Sequence, residues 1–375
     1  MLFDTKKFLE QDWQKHARLF RDACPQALSC ISATDLLAMA RADECESRLV
    51  TVDARQKNWR SVHGAFTAAQ LKKAQQGNWT LLLQAVDQWI PEVAQLLDLF
   101  AFLPRWRLDD VMISLAGRGG GVGPHFDYYD VFLIQASGER RWKIGQRCDE
   151  DSPLRPQADM RLLKRFQQQE DHVLKPGDMI YIPAGVAHWG TALTDNCITV
   201  SIGFRAVSQR ELIPRVAEQL QPGTTEHLRY RDSQASLAAD PFCINPSAVN
   251  NAEKLWDQLP ASVRRGAIAR ALGVYATEPR YPDHIDPPAR AYTDKSLRTL
   301  MGKRKLIAHH VASRFAYRET GAKQAELFVN GEVHPCTLAF ARLICRQQSL
   351  PGTLAVREMA LLLQLLNQGS LLVKQ

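Results

Sequence analysis

The chain has 375 residues, 45% hydrophobic and 23% charged, with a formal net charge of +7. That length suits two or three domains of ordinary globular composition and excludes a disordered or low-complexity chain. The opening twenty residues carry charges throughout and show no apolar core, and the longest apolar stretch, Trp89 to Pro104, is broken by Glu92 and Asp98. Neither a secretory signal nor a membrane span is therefore expected.

Along the chain, the first hundred residues are predicted to be mostly helical. Apolar residues recur at helical spacing from Asp35 to Ala40 and from Trp79 to Phe100, with Asn78 or Thr80 as a cap and Pro91 dividing the second stretch. Thr67-Ala68-Ala69-Gln70 has the form of a capping box. From Asp110 the period changes to two. Val111 to Ala116 is a strand, and Asp130–Gln135 and Arg140–Ile144 form the arms of a hairpin turning at Ser137-Gly138-Glu139. His172–Leu174, Met179–Ile182, His188–Ala192 and Cys197–Arg205 are four further strands, with turns at Pro176-Gly177-Asp178 and Thr194-Asp195-Asn196. Short strands at this density predict a double-sheet jelly roll.

After Arg205 the pattern returns to helix, over Arg210–Leu220 and Ala248–Leu272, until Pro282, Pro287 and Pro288 break it. The last ninety residues predict a helix over Lys303–Ser313 and a hairpin turning at Asn330-Gly331. Helices over Thr337–Gln347 and Val356–Leu366 follow, and Ser370–Val373 closes a small sheet. Helices around a short sheet resemble a winged helix.

The chemistry concentrates in His125-Phe126-Asp127 and in His188, which follows Pro183-Ala184-Gly185-Val186-Ala187. Residues i and i+2 of a strand point the same way, so His125 and Asp127 can reach one metal, and the tight Pro183–Gly185 turn can aim His188 at it. Two imidazoles and a carboxylate hold Fe(II) on one face and leave the other open. The loop Gly117 to Pro124 lacks the Lys-Ser/Thr of a Walker sequence and is better read as a connection passing close to the metal.

His125-Phe126-Asp127, Arg140 and Pro183 to Trp189 together resemble the JmjC class of Fe(II)- and 2-oxoglutarate-dependent oxygenases. Within that class the chain is similar to the ribosomal oxygenases, whose bacterial members hydroxylate an arginine of a large-subunit ribosomal protein. The resemblance implies an α+β chain built on a double-stranded β-helix (jelly roll). Its catalytic domain spans residues 1–206, with a helical part over 1–109 and a core over 110–206. A helical dimerisation region over 207–280 and a winged-helix-like domain over 281–375 follow. It also implies His125, Asp127 and His188 as iron ligands, Arg140 as the partner of the distal carboxylate of 2-oxoglutarate, and Ser114 as a hydroxyl supporting the same cosubstrate. Guanidinium suits that carboxylate because it offers two parallel hydrogen bonds. Arg141 should point to the opposite face, as a solvent-facing partner of Glu139. In the implied reaction O2 and 2-oxoglutarate yield succinate, CO2 and a hydroxylated C–H bond.

A substrate guanidinium calls for a carboxylate and flat aromatic surfaces, and Asp110, Tyr128, Tyr129 and Asp130 are nearest, with Asp110 and Tyr129 the preferred pair. The implied partners are a ribosomal protein as substrate and a second copy of the chain. Residues 281–375 hold 13 basic and 7 acidic residues, so direct contact with nucleic acid is a further expectation, set against simple solubility. Eight cysteines without a Cys-x-x-Cys pair are expected as reduced thiols in the cytoplasm. Two rivals remain: a cupin using the same metal face on a small molecule, and a metal-stabilised ribosome- or nucleic-acid-binding module.

Overall fold

A computed structural model describes residues 3–55, 57–156, 160–220, 224–232 and 243–374. The chain forms two compact units, residues 1–206 and 207–375.

The first unit contains, in order, α1 (Thr5–Gln11), β1 (Arg18–Phe20), α2 (Ala33–Met39), β2 (Ser47–Val52), β3 (Trp59–His63), α3 (Ala68–Ala74), β4 (Asn78–Leu83) and α4 (Pro91–Gln95). Seven strands follow: β5 (Leu108–Ala116), β6 (Asp130–Ser137), β7 (Arg140–Arg147), β8 (Glu170–Leu174), β9 (Met179–Ile182), β10 (Val186–Ala192) and β11 (Cys197–Phe204). The main sheet runs β1-β9-β6-β11-β5-β4-β2-β3, and β10-β7-β8 forms a second sheet. Strand alternation sorts the side chains. Ile113, Leu115, Phe132, Ile134 and Val200 face outward, onto Phe8, Leu36, Val93 and Phe100 of the N-terminal segments. Val131, Leu133 and Ile180 face inward, onto Trp142, Ile144 and Leu174 of the second sheet. The helices α2 and α3 start at capping boxes, Ser32 with Asp35 and Thr67 with Gln70, as the Thr67–Gln70 spacing predicts.

Two sequence expectations fail in this unit. The first hundred residues are not mostly helical, because β2, β3 and β4 extend the main sheet beyond β5. All of β4 except Asn78 is buried, so Trp79 to Leu83, apolar at every position but Thr80, carry no period, and only pairing with β2 and β5 decides the strand. The second failure is the hairpin. The strands β6 and β7 are joined by a short turn at Gly138 (φ 65°), yet β6 pairs with β9 and β11 while β7 pairs with β8 and β10. The turn carries the chain from one sheet to the other, anchored where the Glu139 N–H donates to Thr194 Oγ1 at 2.9 Å.

The second unit contains α5 (Gln209–Leu220), α6 (Pro246–Asp257), α7 (Ala261–Thr277), α8 (Asp294–Gly302), β12 (Ile307–His309), β13 (Phe315–Glu319), β14 (Gln324–Val329), β15 (Glu332–Thr337), α9 (Leu338–Cys345), α10 (Val356–Asn367) and β16 (Leu371–Val373). Asn330 and Gly331 both have positive φ and close the β14–β15 hairpin as expected. The strand β16 pairs with β12, in agreement with the expected small sheet. The helix predicted over Lys303–Ser313 is instead α8, which ends at Gly302, followed by β12. Thr293 and Ser296 cap the start of α8 and Arg304 (φ 49°) takes the chain out of helical geometry. The predicted single helix over Ala248–Leu272 is divided at Leu259-Pro260, where Pro260 caps α7. The helix α7 packs on the β13–β15 sheet, with Gly273 against the Phe328 ring where a Cβ would stand 2.4 Å away. Among the described residues no helix is long and apolar enough to cross a membrane.

Candidate metal centre

His125 and His188 are paired across a β-bridge: the His125 N–H donates to His188 O at 3.1 Å and the His188 N–H to His125 O at 2.8 Å. This pairing brings the two rings to 4.3 Å between centroids. A register shift between Val186 and His188 interrupts the β10–β7 ladder just before the histidine. Gly185, at φ 76°, donates its N–H to Asp127 O at 2.8 Å, so the turn before β10 is clamped to the backbone of the third member. The Asp127 carboxylate then lies 3.5 Å from His188 Nε2. One ligand atom from each of the three residues lies within 4.8 Å of the other two.

Both imidazoles are oriented by the backbone. His125 Nδ1 is 2.9 Å from Gly123 O and His188 Nδ1 is 3.0 Å from Val186 O. A carbonyl at Nδ1 requires a proton there, so Nε2 is the nitrogen that each ring can offer to a metal. Burial, reinforced by the neighbouring His125, pushes His188 down to about 4 even though Asp127 opposes the shift. The buried ring is therefore neutral, as a ligand must be. Two imidazoles and a carboxylate are the donor set suited to ferrous iron with open positions.

On the second sheet, Arg140 points inward and is only 3% exposed, and its Nε and Nη2 have no hydrogen-bond partner. A buried, unpaired guanidinium is costly, so this site is built for an anion. Ser114 is buried on the inner face of β5, and its Oγ is 3.5 Å from Thr199 O, at the outer limit of a hydrogen bond. Arg141 does face the other way, but it pairs with Asp171 of β8 at 3.3 Å and not with Glu139, because β8 is the neighbouring strand.

The acids near the triplet are engaged by the protein. Asp110 is buried and accepts the Ala85 N–H at 3.1 Å. Asp130 is buried and accepts from Tyr181 Oη at 2.7 Å and Arg107 Nη2 at 3.1 Å. Of the preferred substrate pair, Tyr129 stays at the surface, 43% exposed, while Asp110 does not. Sequence reasoning missed Arg161, which donates to Tyr128 Oη at 2.8 Å and stacks 4.7 Å from its ring centre. A contact between residues 33 apart across a loop leaves no periodic signal.

Comparison with known proteins agrees with this geometry. Residues 95–212 match the family described as JmjC domain, and residues 253–372 match the family described as ROXA-like winged helix. The chain is 34% identical over 285 residues to the ribosomal protein uL16 3-hydroxylase of Escherichia coli (strain K12), covering 76% of this chain and 74% of that protein. The chain belongs to the JmjC ribosomal oxygenase family. It is also 35% identical over 212 residues to a probable ribosomal oxygenase of Haemophilus influenzae, covering 56% of this chain and 52% of that one. Among solved structures, YcfD, a ribosomal oxygenase from Escherichia coli in complex with cobalt and 2-oxoglutarate, superposes with a TM-score of 0.84 at 28% identity. The superposition covers 100% of this chain and 99% of YcfD. The α+β reading, a jelly roll with a C-terminal winged helix, holds for this family member.

Proposed function

We propose that the chain is an Fe(II)- and 2-oxoglutarate-dependent oxygenase that hydroxylates an arginine side chain of a large-subunit ribosomal protein. The observation that carries this reading is the buried guanidinium of Arg140, without an anion, on the inner wall of the sheets that hold the His-Asp-His cluster. His125, Asp127 and His188 would hold the metal, and Arg140 with Ser114 would hold the far carboxylate of the keto acid. Iron with the keto acid and O2 supplies oxidative decarboxylation to succinate and CO2 and transfer of one oxygen atom to a C–H bond. The protein's own residues bind, orient and desolvate the reactants.

A ribosomal protein as substrate is supported by the relatives, one named a ribosomal protein hydroxylase and the other a probable ribosomal oxygenase. Arginine as target is supported by the exposed aromatic ring of Tyr129 beside the triplet. Tyr129 is proposed as a substrate contact. Asp110 is proposed to join it. We assign catalysis to residues 1–206, dimerisation to 207–280 and the winged-helix role to 281–375. The exposed Ile213, Val249, Trp256 and Ile268 support a homodimer through the middle region, and Trp256→Glu should shift the sedimenting species from dimer to monomer. A cytoplasmic location accords with a ribosomal substrate.

The deciding experiment incubates purified protein with Fe(II), 2-oxoglutarate and ribosomal proteins from a strain lacking this oxygenase. One protein should gain a single oxygen, mapped to arginine by fragment spectra. A gain on histidine would correct the target residue. Turnover of a small molecule that survives Arg140→Ala would favour the cupin reading.

A further inference from the structure

We infer that Trp142 and Thr80 are further donors to the keto-acid carboxylate that Arg140 receives, an assignment that rests on the function proposed above. Arg140, Trp142 and Thr80 are all buried, and Arg140 Nε and Nη2, Trp142 Nε1 and Thr80 Oγ1 have no hydrogen-bond partner. All three belong to the inner faces of the two sheets. Arg140 and Trp142 alternate inward along β7, and the Arg140 guanidinium carbon is 5.7 Å from the Trp142 ring centre. The Trp142 ring is also 5.8 Å from that of His188. The ladder pairs Ala192 with Arg140 and Gly190 with Trp142 before it reaches His188, so Trp142 follows the anion anchor toward the metal cluster along the strands. Thr80 pairs with Ala116, which packs against Ala192 of the opposite sheet, and Ala192 is the ladder partner of Arg140.

A carboxylate offers about four lone-pair sites on two oxygens, more than Arg140 alone fills, and Arg140 Nε and Nη2, Trp142 Nε1 and Thr80 Oγ1 are buried donor atoms without a partner. Leaving a buried donor unmet costs roughly as much as a hydrogen bond contributes, so unmet donors on the facing inner walls of the two sheets point to an acceptor. Thr199, on the same inner face, shows the contrast: its Oγ1 is satisfied by Gln135 Oε1 at 3.0 Å. The side chains at positions 116, 190 and 192 are no larger than alanine, and the Trp142 ring packs into the space that a Cβ at Gly190 would take.

The test uses the full chain carrying ¹⁵N-labelled tryptophan and Zn(II) as a diamagnetic stand-in. Eight indole resonances are expected, and Trp142→Phe identifies one of them by its loss. Titration with 2-oxoglutarate should move that resonance downfield in step with binding measured by calorimetry. Trp142→Phe and the near-isosteric Thr80→Val should each weaken 2-oxoglutarate by about tenfold, the worth of one hydrogen bond to a charged group. Neither should change the affinity for pyruvate, which lacks the distal carboxylate. If 2-oxoglutarate binds while the Trp142 resonance stays still and Thr80→Val binds normally, the donors serve water and this inference fails, although the proposed function stands. If the wild-type protein binds no keto acid, both fail.

Discussion

Replacing Arg140 with methionine separates a binding group from a structural one, because the two roles have opposite effects on the ligand-free protein. Arg140 is 3% exposed, and two of its guanidinium nitrogens lack partners. Its visible gain is the buried cation–π contact with Trp142 at 5.7 Å, worth about 2 kcal/mol. Against this stands the desolvation of a charge without a counterion, which costs several kcal/mol. Methionine fills a similar volume without that cost, so the variant should be as stable as the wild type or more stable by about 1–3 kcal/mol. For a unit of about 200 residues this raises the melting temperature by about 2–4 °C per kcal/mol. Binding should move the other way. Two hydrogen bonds to a carboxylate contribute roughly 3–6 kcal/mol, so the dissociation constant for 2-oxoglutarate should rise by about two to four orders of magnitude. Thermal melting followed by circular dichroism, with and without metal and keto acid, reads both quantities. The wild type should gain stability on adding 2-oxoglutarate, and the variant should gain none at the same concentration. A variant that melts lower than the wild type yet binds the keto acid within twofold would show that Arg140 holds the fold together, and the anion-site argument would be wrong.

Asp127→Ala removes the only acid of the cluster and should lower Co(II) affinity at least a hundredfold, read by the visible absorption of bound cobalt, with the melting temperature of the metal-free protein little changed; unchanged cobalt spectra would place the metal elsewhere. Gly190→Ala would set a Cβ 2.6 Å from Trp142 Cη2, so the indole must shift; we expect altered tryptophan emission, about 1–3 kcal/mol of destabilisation and weaker keto-acid binding, and an unaltered spectrum would contradict the packing. In the second unit, burial raises the Glu326 carboxyl, but hydrogen bonds from Arg318 and Arg270 outweigh it and hold the group below its ordinary 4.5. A lowered folded-state value means that stability is present above pH 4.5 and lost as the pH falls through the folded value. Glu326→Gln should cost about 1–3 kcal/mol at neutral pH, less than a fully buried pair because Arg270 is 41% exposed, and should flatten the acid limb of a denaturation curve; an unchanged limb would refute the assignment.

The parts of this protein that were legible in its sequence are those encoded locally. His125 and Asp127 are two residues apart, and His188 follows a turn whose glycine has positive φ, so one stretch of chain supplies two members and another aims the third. Alternation alone turned Arg140 inward and Arg141 outward. The misreadings are those in which a distant strand decides. Residues 79–83 are apolar at every position but Thr80 and fit helix or strand equally well until β2 and β5 claim them. A short turn at Gly138 has the form of a hairpin, although the strands it joins find partners elsewhere. The anion wall shows the same limit for chemistry. Thr80 and Thr199 are both strand threonines on the inner face, and nothing in the chain distinguishes them. Folding gives Thr199 an acceptor in Gln135, 64 residues away, and leaves Thr80 with none. A satisfied hydroxyl and an unsatisfied one differ only in what lies across the sheet, so the donors expected to hold the keto acid are recognised by a deficit that exists only in the folded molecule.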